Sequence, residues 1–212
     1  YGCSGLTGTV TIPASVNEIG ANPFRSCSNL DGIAVESENS SYYVEGNCLI
    51  EKSTKTLITG LKNSTIPSDI KIIGEEAFDC CYGLTGELNL GNCTSLTSIE
   101  YSAFSGCDSL TSITLPEGLT SIGRYVFYHC DSLTSITLPS SLTSIGVCAF
   151  SNCDRLTSIT LPSSLTSIGD FAFSDCTRLA SVTFENTEGW QVSKSSDMSG
   201  AFSVDVTSPS TN

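Results

Sequence analysis

The second half of the chain repeats one pattern of apolar and polar positions with a period of 23 residues. The unit can be written LxxIxLPxxLxxIGxxAFxxCxx, and the segment LTSITLPSSLTSIG occurs in identical copies at 133–146 and 156–169. The same frame recurs upstream around Ile19 and Ile73. A unit this short cannot bury its own apolar face, whereas stacked units pack equivalent side chains against one another. The pattern therefore predicts a solenoid with one continuous core.

Each unit contains two extended segments and a bend. In the segment SITLP, Ile136 and Leu138 are expected to point inward while Ser135 and Thr137 face solvent. Strands of successive units would run the same way and form a parallel sheet along one face. The segment LTSIG predicts a shorter extended piece on the opposite side. The following DFAFSDC, with Asp170 as an N-cap, predicts a single turn of helix.

Phenylalanine and cysteine occupy fixed positions of the unit and are predicted to line the stacked core. The phenylalanines are Phe24, Phe78, Phe104, Phe127, Phe150 and Phe173. Seven of the 11 cysteines share one position, namely Cys3, Cys27, Cys81, Cys107, Cys130, Cys153 and Cys176. A buried thiol behaves as a small hydrophobe with a weak S–H donor, which favours a ladder of free thiols. A disulfide framework is the competing interpretation, although an odd number of equivalent positions cannot all pair.

The other four cysteines are Cys48, Cys80, Cys93 and Cys148. The positions of Cys80 and Cys148 hold polar, aromatic or glycine residues in other units, which predicts that this group lies near the surface. These thiols are either incidental and reduced, or accessible enough to react or to cross-link chains. Metal binding is disfavoured, because the chain has no Cys-x-x-Cys pair and adjacent Cys80 and Cys81 point to opposite sides.

Two segments depart from the repeat. Residues 36–63 contain the apolar runs YYV and CLI on either side of Glu45-Gly46-Asn47, followed by TLITGL. Because Gly-Asn is a hairpin-turn signal, this range predicts an inserted β-hairpin or a three-stranded excursion. Residues 1–184 are therefore predicted to form the solenoid with this insertion. Residues 185–212 are predicted to form a C-terminal capping segment and a mobile tail.

The unit LTSITLPSSLTSIGDFAFSDC, the excursion YYVEGNCLIEKSTKTLITG and the return IPSDIKIIGEEAFDCC closely resemble BspA-like, or Treponema pallidum type, leucine-rich repeat proteins. The resemblance covers roughly residues 1–184. It implies a right-handed leucine-rich repeat solenoid with a parallel β-sheet on one face and short strands, turns and helical turns on the other. It also implies a cell-surface or secreted protein of bacteria or mucosal protozoa that acts in adhesion, matrix binding or coaggregation. The resemblance supplies no catalytic residues.

Charge and hydropathy restrict the partners. With 22 acidic and 9 basic residues the formal charge is −13, which repels phosphate backbones and argues against nucleic acid as a partner. No apolar run is long enough to predict a transmembrane segment in this fragment. Because the chain lacks an initiator Met, and Tyr1-Gly2-Cys3 lacks the layout of a signal peptide, it is interpreted as a mature or a trimmed fragment. An extracellular or cell-surface location is then expected from the resemblance alone.

The sequence contains no recognisable catalytic or cofactor motif. His129 is the single histidine, and the P-loop, GxGxxG and GxSxG patterns are absent. Neither an enzyme nor a bound cofactor or metal is therefore expected. The repeats do offer an extended surface, whose strand hydroxyls are either a binding face or simply solvated side chains. These hydroxyls are Ser112, Thr114, Ser135, Thr137, Ser158, Thr160, Ser181 and Thr183.

A group of aromatic and basic residues is the sharper candidate for a binding site, because such side chains are enriched in interfaces. The candidates are Arg124, Tyr125, Tyr128 and His129 in one repeat, and Tyr42 and Tyr43 on the excursion. The preferred interpretation is a non-enzymatic module that binds an extracellular protein or glycan and mediates adhesion to host or neighbouring cells. The alternative is a rigid spacer that displays another domain of a longer surface protein.

Overall fold

The structure, a computed structural model, describes residues 2–186, 191–194 and 204–207. Regular elements in these residues are all β-strands. In chain order they are β1 Gly8–Ile12, β2 Leu30–Val35, β3 Tyr42–Glu45, β4 Cys48–Glu51, β5 Thr56–Thr59, β6 Ile72–Ile73, β7 Gly86–Asn89, β8 Ser98–Ile99, β9 Leu110–Thr114, β10 Ser121–Ile122, β11 Ser135–Thr137, β12 Ser144–Ile145, β13 Ser158–Leu161, β14 Ser167–Ile168, β15 Ser181–Phe184, β16 Gln191–Lys194 and β17 Val204–Thr207.

The longer strands of successive coils pair in parallel, as the SITLP pattern predicts. β1 pairs with β2, β7 with β9, β9 with β11, and β13 with β15. The register places equivalent residues side by side, so that Ile136 lies beside Ile113 and Ser135 beside Ser112. The LTSIG segments form a second parallel sheet of two-residue strands in the order β6, β8, β10, β12 and β14. The predicted solenoid and its stacked core are confirmed by this arrangement.

A stack of phenylalanine rings runs through the centre of the core. Phe78, Phe104, Phe127, Phe150 and Phe173 are all buried, and successive ring centroids lie 5.3, 5.7, 5.3 and 5.5 Å apart with nearly parallel planes. Offset-stacked rings at this spacing contribute beyond their buried area. Phe24 is only partly buried and packs in a separate apolar cluster with Leu30 and Ile33. A cleft of about 240 Å³ lies between Phe24 and Phe78.

The predicted turn of helix is wrong: the described residues contain no helix. The segment that follows each LTSIG glycine sends alternate N–H groups to the next coil, which removes the donors that a helix needs. Phe104 N donates to Val126 O at 3.0 Å, and Phe127 N to Ala149 O at 2.8 Å. Intervening N–H groups close tight turns within the coil, as when Cys107 N donates to Phe104 O at 3.2 Å.

Left-handed backbone conformations recur at two positions of every such turn. One set comprises Ser102, Tyr125, Cys148 and Phe171, with φ values of 52°, 57°, 54° and 58°. The other comprises Gly106, His129, Asn152 and Asp175, with φ values of 66°, 54°, 61° and 56°. A non-glycine residue in this region costs roughly 1–2 kcal/mol. The coil-to-coil hydrogen bonds at these positions, such as Tyr125 N to Val147 O at 3.0 Å, offset that cost.

The insertion at 36–63 is a three-stranded meander that continues the second sheet. β3 and β4 form the predicted antiparallel hairpin, β4 pairs antiparallel with β5, and β5 pairs in parallel with β6. Both faces of the meander are covered. Tyr42 and Leu49 pack with the cluster of the first two coils, whereas Cys48, Ile50 and Leu57 pack with the core of the later coils. The meander is therefore an internal wall between two apolar clusters.

The predicted cap and mobile tail at 185–212 fall largely outside the described residues. Within that range the structure describes the antiparallel pair of β16 and β17. Their backbones place β17 near β14, the last strand of the second sheet. The capping role of this segment stays a prediction.

Replacement of Phe150 by alanine should lower the free energy of unfolding by about 3–5 kcal/mol, because the cavity would interrupt the ring stack between Phe127 and Phe173. Urea unfolding of the parent and variant measures this change. Phe171→Ala is the matched control, since Phe171 keeps 48% of its surface exposed and should change stability little. Equal effects of the two substitutions would contradict the inward stack.

Replacement of Gly146 by alanine should also destabilise the solenoid, by about 1–3 kcal/mol. An added Cβ would lie 2.6 Å from the carbonyl carbon of Gly123 in the preceding coil. Neither backbone can easily move to relieve this clash. Gly20 occupies the same repeat position near the start of the chain, where an added Cβ meets nothing within 4 Å. The urea unfolding midpoint should therefore be lower for Gly146→Ala than for the parent, and unchanged for Gly20→Ala. A stable Gly146→Ala variant would show that coil spacing adjusts freely.

Candidate functional site

The turns that carry the left-handed residues form one side of the solenoid, which we call the turn face and define by residues 79–82, 101–108, 124–131, 147–154 and 170–177. On this face four rings touch in sequence. Tyr101 lies 5.8 Å from Tyr125, Tyr125 lies 5.4 Å from Tyr128, and Tyr128 lies 4.4 Å from His129, each edge to face. The guanidinium of Arg124 lies 5.9 Å from the Tyr125 ring centre. The predicted group of Arg124, Tyr125, Tyr128 and His129 is thus a single aromatic strip.

The backbone of the turn explains why these side chains project outward. Tyr125 and His129 hold the two left-handed positions, whereas Val126 and Phe127 between them are fully buried. Because φ is set by hydrogen bonds to the next coil, the outward direction does not depend on which side chain is present. The Tyr125 hydroxyl also interacts with the Cys148 thiol of the next coil, and this contact raises the pKa of Tyr125.

Three exposed rings on the same face were not predicted from the sequence. Tyr82, Tyr101 and Phe171 keep 52%, 43% and 48% of their surfaces exposed. A signal was present, because Phe171 shares the repeat position of Tyr125 and Tyr101 shares that of Arg124. Position-by-position alignment of the variable turn residues would have added both rings to the strip.

An open cleft of about 340 Å³ adjoins one end of the strip, with Tyr82 and Tyr128 in its walls. Its carboxylates belong to Asp79, Asp108 and Asp131. The Asp131 carboxylate lies 3.5 Å from His129 Nδ1, a pairing that carries charge only when the imidazole is protonated. Partial burial, and next the nearby Asp131 carboxylate, raise the pKa of Asp108.

Arg25 closes the cleft from the neighbouring part of the fold. Its Nη1 lies 3.3 Å from Glu76 Oε1, and its Nε contacts the Asp79 carboxylate, whose side chain is only 2% exposed. Partial burial lowers the pKa of Arg25, but the carboxylates of Asp79 and Glu76 together outweigh that effect, so the pKa is raised overall. Arg25 therefore links the first coils to the later ones across the meander.

The proposed contact at Tyr42 is wrong. Tyr42 is 4% exposed, and its hydroxyl accepts a hydrogen bond from Ile19 N at 2.9 Å. Alternation along β3 sends Tyr42 into the cluster of the first coils, while its neighbour Tyr43 faces the other side and stays half-buried. Lys55 Nζ lies 4.8 Å from the Tyr43 ring centre and donates to its hydroxyl at 3.0 Å. Tyr43 is therefore already engaged by Lys55.

The strand hydroxyls lie on the sheet side of the solenoid in two rows. Ser135 lies beside Ser112 and Thr137 beside Thr114. Ser112 and Thr114 on β9 are half-buried, whereas the hydroxyls of β11, β13 and β15 are exposed. A shallow groove of about 300 Å³ follows the line between β11 and β13. The two rows offer hydroxyl groups without aromatic anchors, and Glu185 lies at the groove.

The cysteines fall into groups that differ in how deeply they are buried. Cys107, Cys130, Cys153 and Cys176 each donate to the carbonyl of a phenylalanine in the preceding coil, at 3.3, 3.3, 3.2 and 3.0 Å. Cys27 is also buried, Cys81 and Cys176 are intermediate, and Cys3 is exposed. All 11 cysteines are free thiols in the structure.

The surface location predicted for the remaining cysteines is half wrong. Cys80 and Cys148 are partly exposed on the turn face, but Cys48 and Cys93 are buried. The meander explains Cys48, whose strand has both faces covered. Burial raises the pKa of Cys48 to about 12 and that of Cys81 to about 11. It likewise raises the pKa of Cys107 and Cys130, so these thiols stay protonated at neutral pH.

Two kinds of feature are absent from the residues that the structure describes. Among them, no three histidine, cysteine, aspartate or glutamate side chains are grouped so that they could hold a metal ion. The same residues include no helix with the length and apolar character needed to cross a membrane.

These features define a solenoid of leucine-rich repeats, a fold that typically serves as a scaffold for protein interactions and not for catalysis. The profile of the BspA type leucine rich repeat region matches residues 1–90 and 87–193, in six copies. The chain belongs to this family. No curated protein matches the sequence.

Three solved structures share the fold and part of the sequence. A leucine-rich repeat protein from Eubacterium ventriosum is 28% identical, with a TM-score of 0.71 over 82% of this chain and 48% of that one. A leucine rich cell surface protein from Faecalibacterium prausnitzii is 32% identical, with a TM-score of 0.55 over 89% and 41%. The pneumococcal vaccine antigen PcpA is 25% identical, with a TM-score of 0.59 over 87% and 40%. The chain thus spans less than half of each.

Thiol accessibility should follow this division by depth. In the native protein a chromogenic thiol reagent should react quickly only with Cys3, Cys80, Cys148 and Cys176, because the remaining thiols are buried or have a raised pKa and form little thiolate, whereas the hydrogen bond with Cys153 lowers the pKa of the partly exposed Cys176. After denaturation all 11 cysteines should react. Alkylation followed by mass spectrometry assigns the fast sites. A denatured count below about five would contradict the ladder of free thiols.

Proposed function

We propose that this chain is a non-enzymatic interaction module of a cell-surface or secreted protein, and that its turn face binds an extracellular protein or glycan. In this role the module would mediate adhesion to host or neighbouring cells. The observation that carries the proposal is the aromatic strip of Tyr101, Tyr125, Tyr128 and His129, which is continuous across two coils, with Tyr101 and His129 exposed and Tyr125 and Tyr128 half-buried.

The strip has the properties of a binding hot spot. Tyrosine and arginine dominate such hot spots because they supply a large contact area and hydrogen-bonding groups. Tyrosine also has few rotatable bonds, so its ordering on binding costs little entropy. Here the ring-to-ring contacts and the fixed backbone of Tyr125 restrict the side chains before any partner arrives. The rows of strand hydroxyls lack such anchors and make a weaker candidate.

The surface location rests on the family and on its relatives. The Faecalibacterium prausnitzii protein is described as a cell surface protein, and PcpA is a vaccine antigen, as expected for an exposed protein. A rigid spacer is the second candidate, supported by the continuous hydrogen bonding between coils and by the larger size of the relatives. The two functions differ in whether the chain itself binds a partner.

Binding of the isolated chain to immobilised extracellular-matrix proteins and to a glycan panel tests the proposal. The parent should bind at least one ligand, and Tyr125→Ala with Tyr128→Ala should weaken that binding about tenfold or more, because both anchors are lost. Ser135→Ala with Ser158→Ala on the sheet side is the matched control and should bind as the parent does. Unfolding midpoints verify that both double variants fold.

Two outcomes would overturn the proposal. Loss of binding in the serine variant, with the tyrosine variant unaffected, would move the site to the rows of strand hydroxyls. Absence of binding by the parent to every ligand would favour the spacer.

A further inference from the structure

The cleft between Tyr82 and Tyr128 has an excess of negative charge. Its one guanidinium, that of Arg25, is already held by Glu76 and by the buried Asp79. The carboxylates of Asp108 and Asp131 remain at its rim, and His129 opposes them only when protonated.

The repeat places these two carboxylates on adjacent coils. Asp108 and Asp131 occupy the same position in successive coils, and stacking sets equivalent backbones about 4.8 Å apart. Like charges at neighbouring positions of paired chains repel one another. The raised pKa of Asp108, which partial burial and Asp131 produce, is consistent with this repulsion. A cation placed between the two carboxylates would relieve it.

The walls of the cleft favour the same kind of ligand. The rings of Tyr82 and Tyr128 line it, and Tyr82 is more than half exposed. A cation over the face of an aromatic ring is attracted by the ring quadrupole. Guanidinium is planar, stacks on tyrosine and donates two parallel hydrogen bonds to a carboxylate, which an ammonium cannot do.

We propose that this cleft receives a basic side chain, arginine in preference to lysine, from a protein partner of the turn face. The proposal rests on the function proposed above and makes its partner more specific: a protein with an exposed arginine, and not a neutral glycan. The aromatic strip would then contact the residues that flank this arginine, because Tyr128 belongs to both the strip and the cleft.

Short capped peptides of defined charge test the proposal on the whole chain. The probes are Gly-Arg-Gly-Arg-Gly, its lysine counterpart, and a counterpart with citrulline, which has nearly the shape of arginine but no charge. Calorimetric titration should give affinity in the order arginine, lysine, citrulline. Asp108→Asn with Asp131→Asn should weaken binding of the arginine peptide about fivefold or more. Equal affinity for the arginine and citrulline peptides would overturn the proposal.

A charge-matched variant separates the cleft from the overall negative charge of the protein. Glu117→Gln with Glu185→Gln also removes two negative charges, at exposed positions outside the cleft. Both glutamates accept backbone hydrogen bonds, from Ser140 N at 3.0 Å and Ser163 N at 3.1 Å, which glutamine can keep. Binding of the arginine peptide should change less than twofold in this control. An equal loss in both double variants would show attraction by net charge alone and contradict a specific cleft.

Failure of this inference can be told from failure of the proposed function. If the tyrosine variant loses a matrix protein while the Asp108 and Asp131 variant keeps it, the turn face binds a partner without an arginine in the cleft. If the parent binds the arginine peptide with the stated selectivity but no matrix protein or glycan, the cleft is supported and the proposed adhesion is not.

Discussion

Each coil of this protein completes its hydrogen bonding and its apolar packing only through its neighbours, and the rest of the structure depends on that constraint. The carbonyl of Phe104 illustrates it, because it accepts the N–H of Cys107 at 3.2 Å and the thiol of Cys130 from the next coil at 3.3 Å. The phenylalanine of one coil and the cysteine of the next are thereby linked. The close packing of neighbouring coils also explains Gly146, because its backbone lies too near that of the preceding coil for a Cβ to fit.

The same constraint leaves certain positions free to vary. Ser102, Tyr125 and Cys148 share a left-handed position although their side chains have little in common. The backbone there is held by the coil-to-coil bonds, so the side chain can change without loss of the fold. Such positions can therefore change their side chains at little cost to stability, and the aromatic strip lies among them.

The meander adds a second level of organisation. It interrupts the phenylalanine stack, so that Phe24 packs in a separate cluster while the rings from Phe78 onward remain continuous. The two parts are linked by polar contacts, among them Arg25 with Glu76 and the Asn22 amide, which donates to Glu76 O at 2.6 Å. The acidic cleft forms beside this junction. Its shape therefore depends on the insertion as well as on the repeat.

The sequence by itself determined the repeat, the inward leucine, isoleucine and phenylalanine positions, and the extended segments, because periodic burial is a local pattern that stacking makes unavoidable. It also indicated the hairpin and the group around Tyr125. Only the tertiary structure decided that the turns form no helix, since the competing hydrogen bonds come from the next coil. It likewise decided that Tyr42 and Cys48 are buried, because the sequence does not show that both faces of the meander are covered. The cleft of Tyr82, Asp108 and Tyr128 also required the structure, since residues of three successive coils and Arg25 meet there only after folding.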